Sequence, residues 1–362
     1  MTTEEFSLRR DPRQEELSNC GFVKTVLMLV IVFYHCTVFW TGSWISIKPA
    51  ISSVALSYLA KWMNSFHIYG FALVSGYLFF YLRYERGKYS RYLPFLGNKA
   101  KRLLVPYVFV SLVWAIPFAV FLLQMDPSTL LSDYLLASSP QQLWFLVMLF
   151  GVFALFYPLS RFFKEHTFWG AVIALVFYGV GVLGPAFLPN VFQVFTAFRY
   201  LLFFWIGFKL RQHPCGWLRR IPAILWLPLH VLLFAAVCLL KTQEGRLFGV
   251  LELGFTLLLH AVGALMAFFL LGWIGAHVSW KNSRVMRFFE RRSMPIYLFH
   301  QQLVYLCLYW LNGAMHPYLH VAFHVVAVTV GAVLLSSLVL AFGWTRVLVG
   351  EKKNNQAERN AS

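Results

Sequence analysis

Apolar stretches of about twenty residues recur along the whole chain, separated by short polar or basic segments, and each is long enough to cross a bilayer as a helix. Ten spans are predicted, at roughly 21–41, 63–82, 103–124, 141–160, 168–187, 196–212, 221–240, 248–276, 293–312 and 320–343. The eighth is longer than a bilayer requires and is expected to tilt or break. Between the first two spans, residues 42–62 hold Trp44, Tyr58 and Trp62 and read as an interfacial helix or re-entrant stretch. The segment 83–102 (RYERGKYSRYLPFLGNKAKR) is basic and aromatic and is expected to lie along the membrane surface. The pattern predicts an all-α polytopic membrane protein with a polar segment 1–20, a transmembrane domain 21–343 and a short polar tail 344–362. Residues 1–20 carry no short apolar core, so the first span is expected to act as its own insertion signal.

Composition supports this reading. Of 362 residues, 59% are apolar and only 12% charged, too little charge to cover a soluble surface of this size. The basic residues fall into alternate loops. With the N-terminus inside, Arg83, Arg86, Lys88, Arg91, Lys99, Lys101 and Arg102 are cytoplasmic. So are Arg211, Arg219 and Arg220, and the cluster from Lys281 to Arg292, whereas the outer loops keep only Lys48, Lys61, Lys241 and Arg246, plus Arg199 at a span end. Both termini are therefore expected in the cytoplasm, in a multi-pass protein of the cell membrane whose net charge of +17 meets anionic lipid. Scattered over membrane loops, these cations do not form a nucleic-acid surface. No internal repeat is evident, which weighs against repeat-built secondary transporters. Cys20, Cys36, Cys215, Cys238 and Cys307 have neither metal nor disulfide spacing and are expected to act as apolar filler.

Against this background the ionisable residues inside spans stand out. Lys24 and His35 lie in GFVKTVLMLVIVFYHCTVFW, eleven residues or very nearly three turns apart, and so share one face about 16 Å apart along the axis. Inside hydrocarbon, such groups cost several kcal/mol unless a cavity or partner meets them. His35, about 20 Å from the inner end of its helix, suits a general base toward a hydroxyl. The alternative is a histidine hydrogen-bonded to a neighbouring helix. His67 opens the second span at a depth compatible with His35, and Ser75 and Gly76 follow where small residues permit close packing. Lys99, Lys101 and Arg102 precede Pro106 at the inner mouth of the third span, as positive-inside anchors or as a clamp for phosphates.

Further along, Trp144 opens the fourth span near the outer interface and Arg199 lies near the outer end of the sixth. Glu252, in the outer turn of the eighth span, is the one carboxylate placed inside a span. Tyr297 and His300 share a face of the ninth span, the histidine about 10 Å from the inner surface, and Gln301 and Gln302 imply a wet or packed interior face. His316, His320 and His324 are spaced by four, but Pro317 and the lack of accompanying carboxylate or cysteine argue against metal, and none is expected. His230 and His260 lie in spans without a recognisable partner.

Together these pieces resemble the membrane-bound acyltransferase family 3, whose members are ten-helix proteins that acylate sugar hydroxyls of cell-surface glycans. The resemblance is carried by Lys24-x10-His35, SFHIYGFALVSGYLF with His67, the basic cluster before Pro106–Tyr107, LWFL at 143–146 and SMPIYLFH at 293–300, in family order. The second-span histidine is most similar to the branch of fucose 4-O-acetylase-like and exopolysaccharide-modifying proteins. Lysine stands at position 24 where the family usually has arginine, which removes bidentate phosphate geometry.

The resemblance implies an O-acetyltransferase with no bound cofactor, using acetyl-CoA or another short acyl-CoA as co-substrate. In that scheme Lys24, Lys99 and Arg102 neutralise the donor phosphates while Tyr297 or His300 lines the pantetheine path. His35, assisted by His67, activates the acceptor hydroxyl or takes the acyl group and relays it. A glycan or lipid-linked sugar enters from the outer side near Trp144, Arg199 and Glu252. Further partners implied are membrane lipids, glycan-synthesis proteins and a second copy of the chain. The competing class is an exporter of polysaccharide or lipid-linked sugar, against which stands the near-absence of intramembrane acidic residues for ion coupling.

Overall fold

A computed structural model describes residues 12–351 apart from 214, 215, 279 and 282, so Cys215, much of the 1–20 segment and most of the tail lie outside the described residues. Helices account for nearly all of the described chain. The long ones are α1 (Pro12–Thr37), α2 (Val54–Asn64), α3 (His67–Phe80), α4 (Tyr92–Val110), α5 (Trp144–Glu165) and α6 (Thr167–Leu183). They continue with α7 (Val194–Gln212), α8 (Trp226–Leu240), α9 (Arg246–His277), α10 (Arg284–Leu311) and α11 (Pro317–Ala341), followed by the short α12 (Gly343–Leu348).

Among the described residues nine helical stretches are long and apolar enough to span a membrane. The chain is an all-α polytopic membrane protein. The remaining predicted span coincides with α10, which at 28 residues is long enough but carries too many polar side chains to qualify by apolarity. Those polar groups turn inward: His300 and Gln302 are fully buried, whereas apolar Phe121 and Phe187 are 84% and 81% exposed. Apolar residues outside and polar residues inside is the distribution a hydrocarbon solvent imposes.

Several boundaries differ from the sequence expectation. α1 begins at Pro12, and a tight turn at Gly42, whose φ of 72° suits glycine, ends its 3₁₀ continuation. The 42–62 stretch contains α2, which runs into α3 through a two-residue turn at Ser65–Phe66 and with it forms one long span, Val54–Glu85. The segment 83–102 is helical from Tyr92 onward, where α4 starts. α9 runs unbroken for 32 residues.

The chain divides into two compact units, each described here by itself. The first comprises Met1–Val30, Lys61–Lys88 and Phe203–Glu290. Within it α3 meets the second half of α7 backbone to backbone: a Cβ on Gly76 would lie 1.9 Å from the Phe204 carbonyl oxygen, and one on Gly207 1.8 Å from that of Leu73. Small residues allow this approach where lipid supplies no hydrophobic drive between helices. At the helix ends Arg211 donates from Nε to Glu85 at 2.7 Å, Tyr77 donates to Glu16 at 2.9 Å, and Arg219 pairs with Glu16 at 2.6 Å. Each buried charge in this network therefore has an opposite partner.

The second unit comprises Ile31–Ala60, Tyr89–Leu202 and Arg291–Ser362. α4 and α5 are joined by an aromatic cluster of Tyr92, Phe95, Phe153 and Tyr157, with the Tyr157 hydroxyl donating to the Tyr89 carbonyl at 2.9 Å. α6 and α7 touch through Gly181, where a Cβ would lie 2.5 Å from the Arg199 backbone nitrogen. The polar face of α10 belongs to this unit.

Candidate active site

The C-terminal part of α1 and the middle of α10 bring two imidazoles together. His35 Nδ1 lies 3.0 Å from His300 Nε2, with ring centroids 4.8 Å apart. His35 Nδ1 also lies 2.9 Å from the carbonyl oxygen of Ile31, one turn back on its own helix. On the other ring, His300 Nδ1 lies 2.7 Å from the Tyr297 carbonyl oxygen. His300 is fully buried and His35 half-buried.

α10 starts at Arg284, so His300 lies sixteen residues or about 24 Å along its helix. The basic first two turns of α10 are helical beyond the apolar window that begins near residue 293.

Around the pair, α10 presents a wall of amides and aromatic rings. Gln302 Oε1 accepts from Gln142 Nε2 at 2.7 Å, and Gln302 Nε2 donates to Gln141 at 3.0 Å. Gln142 also donates to the Leu298 carbonyl at 3.1 Å, and the Tyr297 hydroxyl donates to the Gln142 carbonyl. These bonds tie α10 to the turn before α5, where Gln141 holds a φ of 48°, a left-handed conformation costing on the order of 1 kcal/mol for a non-glycine residue. Gln301 donates to the Tyr305 hydroxyl, Tyr305 lies against Trp44 at 5.1 Å, and Trp44 against His35 at 5.8 Å. Two buried oxygens here have no hydrogen-bond partner among the described residues, Gln301 Oε1 and the hydroxyl of Tyr134.

Gln141, Gln142, Tyr134 and Tyr305 are not singled out by the sequence, and Trp44 only as an interfacial aromatic residue. The available signal was the dipeptide Gln141–Gln142 immediately before the LWFL motif, mirroring Gln301–Gln302.

The other expected site residues fall as follows. Lys24 lies half-buried on α1, three turns before His35. His67 is the first residue of α3, buried in the first unit, its Nδ1 2.6 Å from the Met63 carbonyl. Lys99 lies over an aromatic cage, 3.8 Å from the Phe153 ring centroid and 5.4 Å from those of Tyr89 and Phe95. Such a cage stabilises an ammonium through the ring quadrupoles. Arg102 is exposed, and its carbonyl abuts Gly350 beyond α12. Burial holds the neighbouring Glu351 carboxyl above its usual value, opposed by Arg102 and Arg346.

Trp144 and Arg199 meet at one ring: Tyr200 lies 5.9 Å from the Trp144 centroid, and the Arg199 guanidinium 5.7 Å from that of Tyr200. Glu252, in the first unit, pairs with Lys241 at 3.6 Å, in a bridge with 60% of the lysine and 36% of the glutamate side chain exposed. His320 and His324 lie one turn apart on α11, ring centroids 4.1 Å apart, with Trp40 edge-on to His320. Among the described residues no three His, Cys, Asp or Glu side chains gather where they could hold a metal ion.

Residues 21–341 match the family model Acyl_transf_3, described as an acyltransferase domain. No curated protein and no solved structure matches the chain.

Proposed function

The chain belongs to acyltransferase family 3 and is a multi-pass membrane acyltransferase, and from that premise we propose that it moves an acetyl group from cytoplasmic acetyl-CoA to a hydroxyl of a cell-surface or lipid-linked glycan in the cell membrane. The observation that carries the reading is the His35–His300 pair, an imidazole held in a buried polar wall of a membrane protein. In this scheme His35 is the general base. It takes the proton of the acceptor hydroxyl as the oxygen attacks the thioester carbonyl. The carbon–sulfur bond then breaks, the proton passes from His35 to the sulfur, and the products are the ester and the CoA thiol.

Support for a hydroxyl-rich acceptor comes from Gln301 Oε1 and the Tyr134 hydroxyl, buried groups that want a hydrogen-bond partner, beside the rings of Tyr305 and Trp44. Left empty, such groups cost about 1–3 kcal/mol each. Trp144, Tyr200 and Arg199 offer a second aromatic and cationic surface of the kind sugars use. For the donor, Arg102 and Lys101, exposed in the middle of α4, supply charge for phosphates, with Lys99 beside them.

The test uses membranes holding the protein, acetyl-CoA labelled in the acetyl group, and glycan acceptor. Base-labile label entering the glycan with wild type and not with His35→Ala supports the reading. Equal label with both would remove His35 from the chemistry. Transfer from succinyl-CoA alone would replace the donor. A glycan that changes location and not ester content would make the protein an exporter.

A further inference from the structure

We propose that His300 is a positioning residue that fixes the tautomer of His35, placing the basic lone pair of His35 on Nε2. The inference rests on the acyl-transfer reading above and names the atom that performs it.

Proton counting carries the argument. A carbonyl oxygen can only accept, so the 2.7 Å contact from His300 Nδ1 to the Tyr297 carbonyl requires a proton on that nitrogen. In a neutral imidazole the other nitrogen, Nε2, is then an acceptor. It lies 3.0 Å from His35 Nδ1, which must supply the proton between them. The 2.9 Å contact from the same His35 nitrogen to the Ile31 carbonyl demands the identical assignment, because that oxygen also only accepts. The two acceptors share the one proton on His35 Nδ1 as a three-centre bond. Its Nε2 carries the lone pair, in the tautomer a base needs.

The arrangement has a second consequence. When His35 Nε2 takes the hydroxyl proton, the ring becomes an imidazolium whose Nδ1–H already points at a lone pair and a carbonyl dipole. The new positive charge is met by groups that need not move, which is how preorganised polar sites lower a barrier. His300 thereby does for His35 what a carboxylate does in a serine-protease triad, without burying a negative charge in the membrane. Complete burial of His300 keeps water from competing for its lone pair. Gln142, from the turn before α5, donates to the Leu298 carbonyl and to Gln302 and so anchors α10 on either side of His300.

The sequence expectation for His300 was a lining of the pantetheine path, and the two roles separate in kinetics. His300→Phe keeps the ring volume and removes the acceptor. His300→Gln places an amide oxygen near the former Nε2. If His300 positions His35, His300→Phe lowers kcat on the order of 10²-fold or more with KM for acyl-CoA within about twofold, and His300→Gln recovers most of the loss. A raised KM with kcat unchanged, or equal losses in both variants, overturns the proposal. A second measurement needs no variant at position 300. In protein labelled with 15N-histidine, the His35 signals, identified by their loss in His35→Ala, should show Nδ1 protonated and Nε2 unprotonated. The opposite tautomer sinks the assignment even if His300→Phe does not fold. Wild type without acyl transfer to any acceptor hydroxyl would instead sink the functional reading, and with it this one.

Discussion

Two side-chain pairs in this protein, each built on a buried histidine, look alike and are chemically opposite. In the second unit His35 faces His300; in the first, His230 Nε2 lies 3.1 Å from Ser65 Oγ, a serine–histidine dyad at hydrogen-bond distance. The dyad would pass for an activated nucleophile until its protons are counted. Ser65 Oγ lies 2.6 Å from the Trp62 carbonyl oxygen, which can only accept, so the single hydroxyl proton is already committed. His230 must therefore donate to Ser65, and a histidine that donates cannot act as base to the same oxygen. Gly263 presses on the pair, since a Cβ there would lie 2.8 Å from His230 Nε2. Ser65–His230 reads as a structural brace for the turn between α2 and α3, while His35–His300 leaves a lone pair directed away from the brace. Distance alone does not separate the two; the direction of each proton does.

The largest effect expected from breaking this contrast is at His35. Replacing it with alanine should cut acyl transfer by roughly 10²–10⁴-fold, the range a lost general base covers, with the melting temperature little changed. Retained transfer would erase the difference between the pairs. An intermediate effect is expected for Gln302→Leu, which leaves the Gln142 amide only the Leu298 carbonyl to donate to and loosens α10. A drop in kcat of about tenfold fits the sensitivity of catalysis to small misplacements, and unchanged rates would show that the wall does not position the histidines. The smallest effect on rate is expected for Ser65→Ala. Activity per folded protein should stay within about twofold of wild type, while stability falls by about 1–3 kcal/mol as His230 loses its acceptor. Loss of transfer in folded Ser65→Ala would promote the dyad to catalysis and invert the comparison.

Much of the fold was legible because a bilayer demands long apolar runs, and runs such as Thr167–Ala186 differ from prediction by only a residue at each end. α10 was legible as a helix but not in extent, because its first turns are charged and fall outside an apolar window. His35 and His300 stand out as ionisable groups in spans, yet their contact comes from the packing of α1 on α10, which neither span shows alone. Gln142 escaped because it sits in a short turn with no periodicity to reveal it. The cage around Lys99 was half visible, since Phe95 lies one turn earlier on the same helix, whereas Phe153 arrives from α5. Sequence shows which residues are costly in a membrane; the partner that relieves each cost comes from tertiary structure.

The meeting of Gly76 and Gly207 sets a condition on how the protein is made. Their helices touch backbone to backbone, with no side chain able to swing aside and absorb a misfit. Yet 131 residues separate the two glycines along the chain. At about 5–20 residues per second of synthesis, α3 waits roughly 7–26 s in the membrane with its glycine groove open before its partner is even translated. For that interval lipid tails, or another inserting helix, are the groove's only occupants. The order in which helices leave the ribosome thus matters here as much as the shape they finally share.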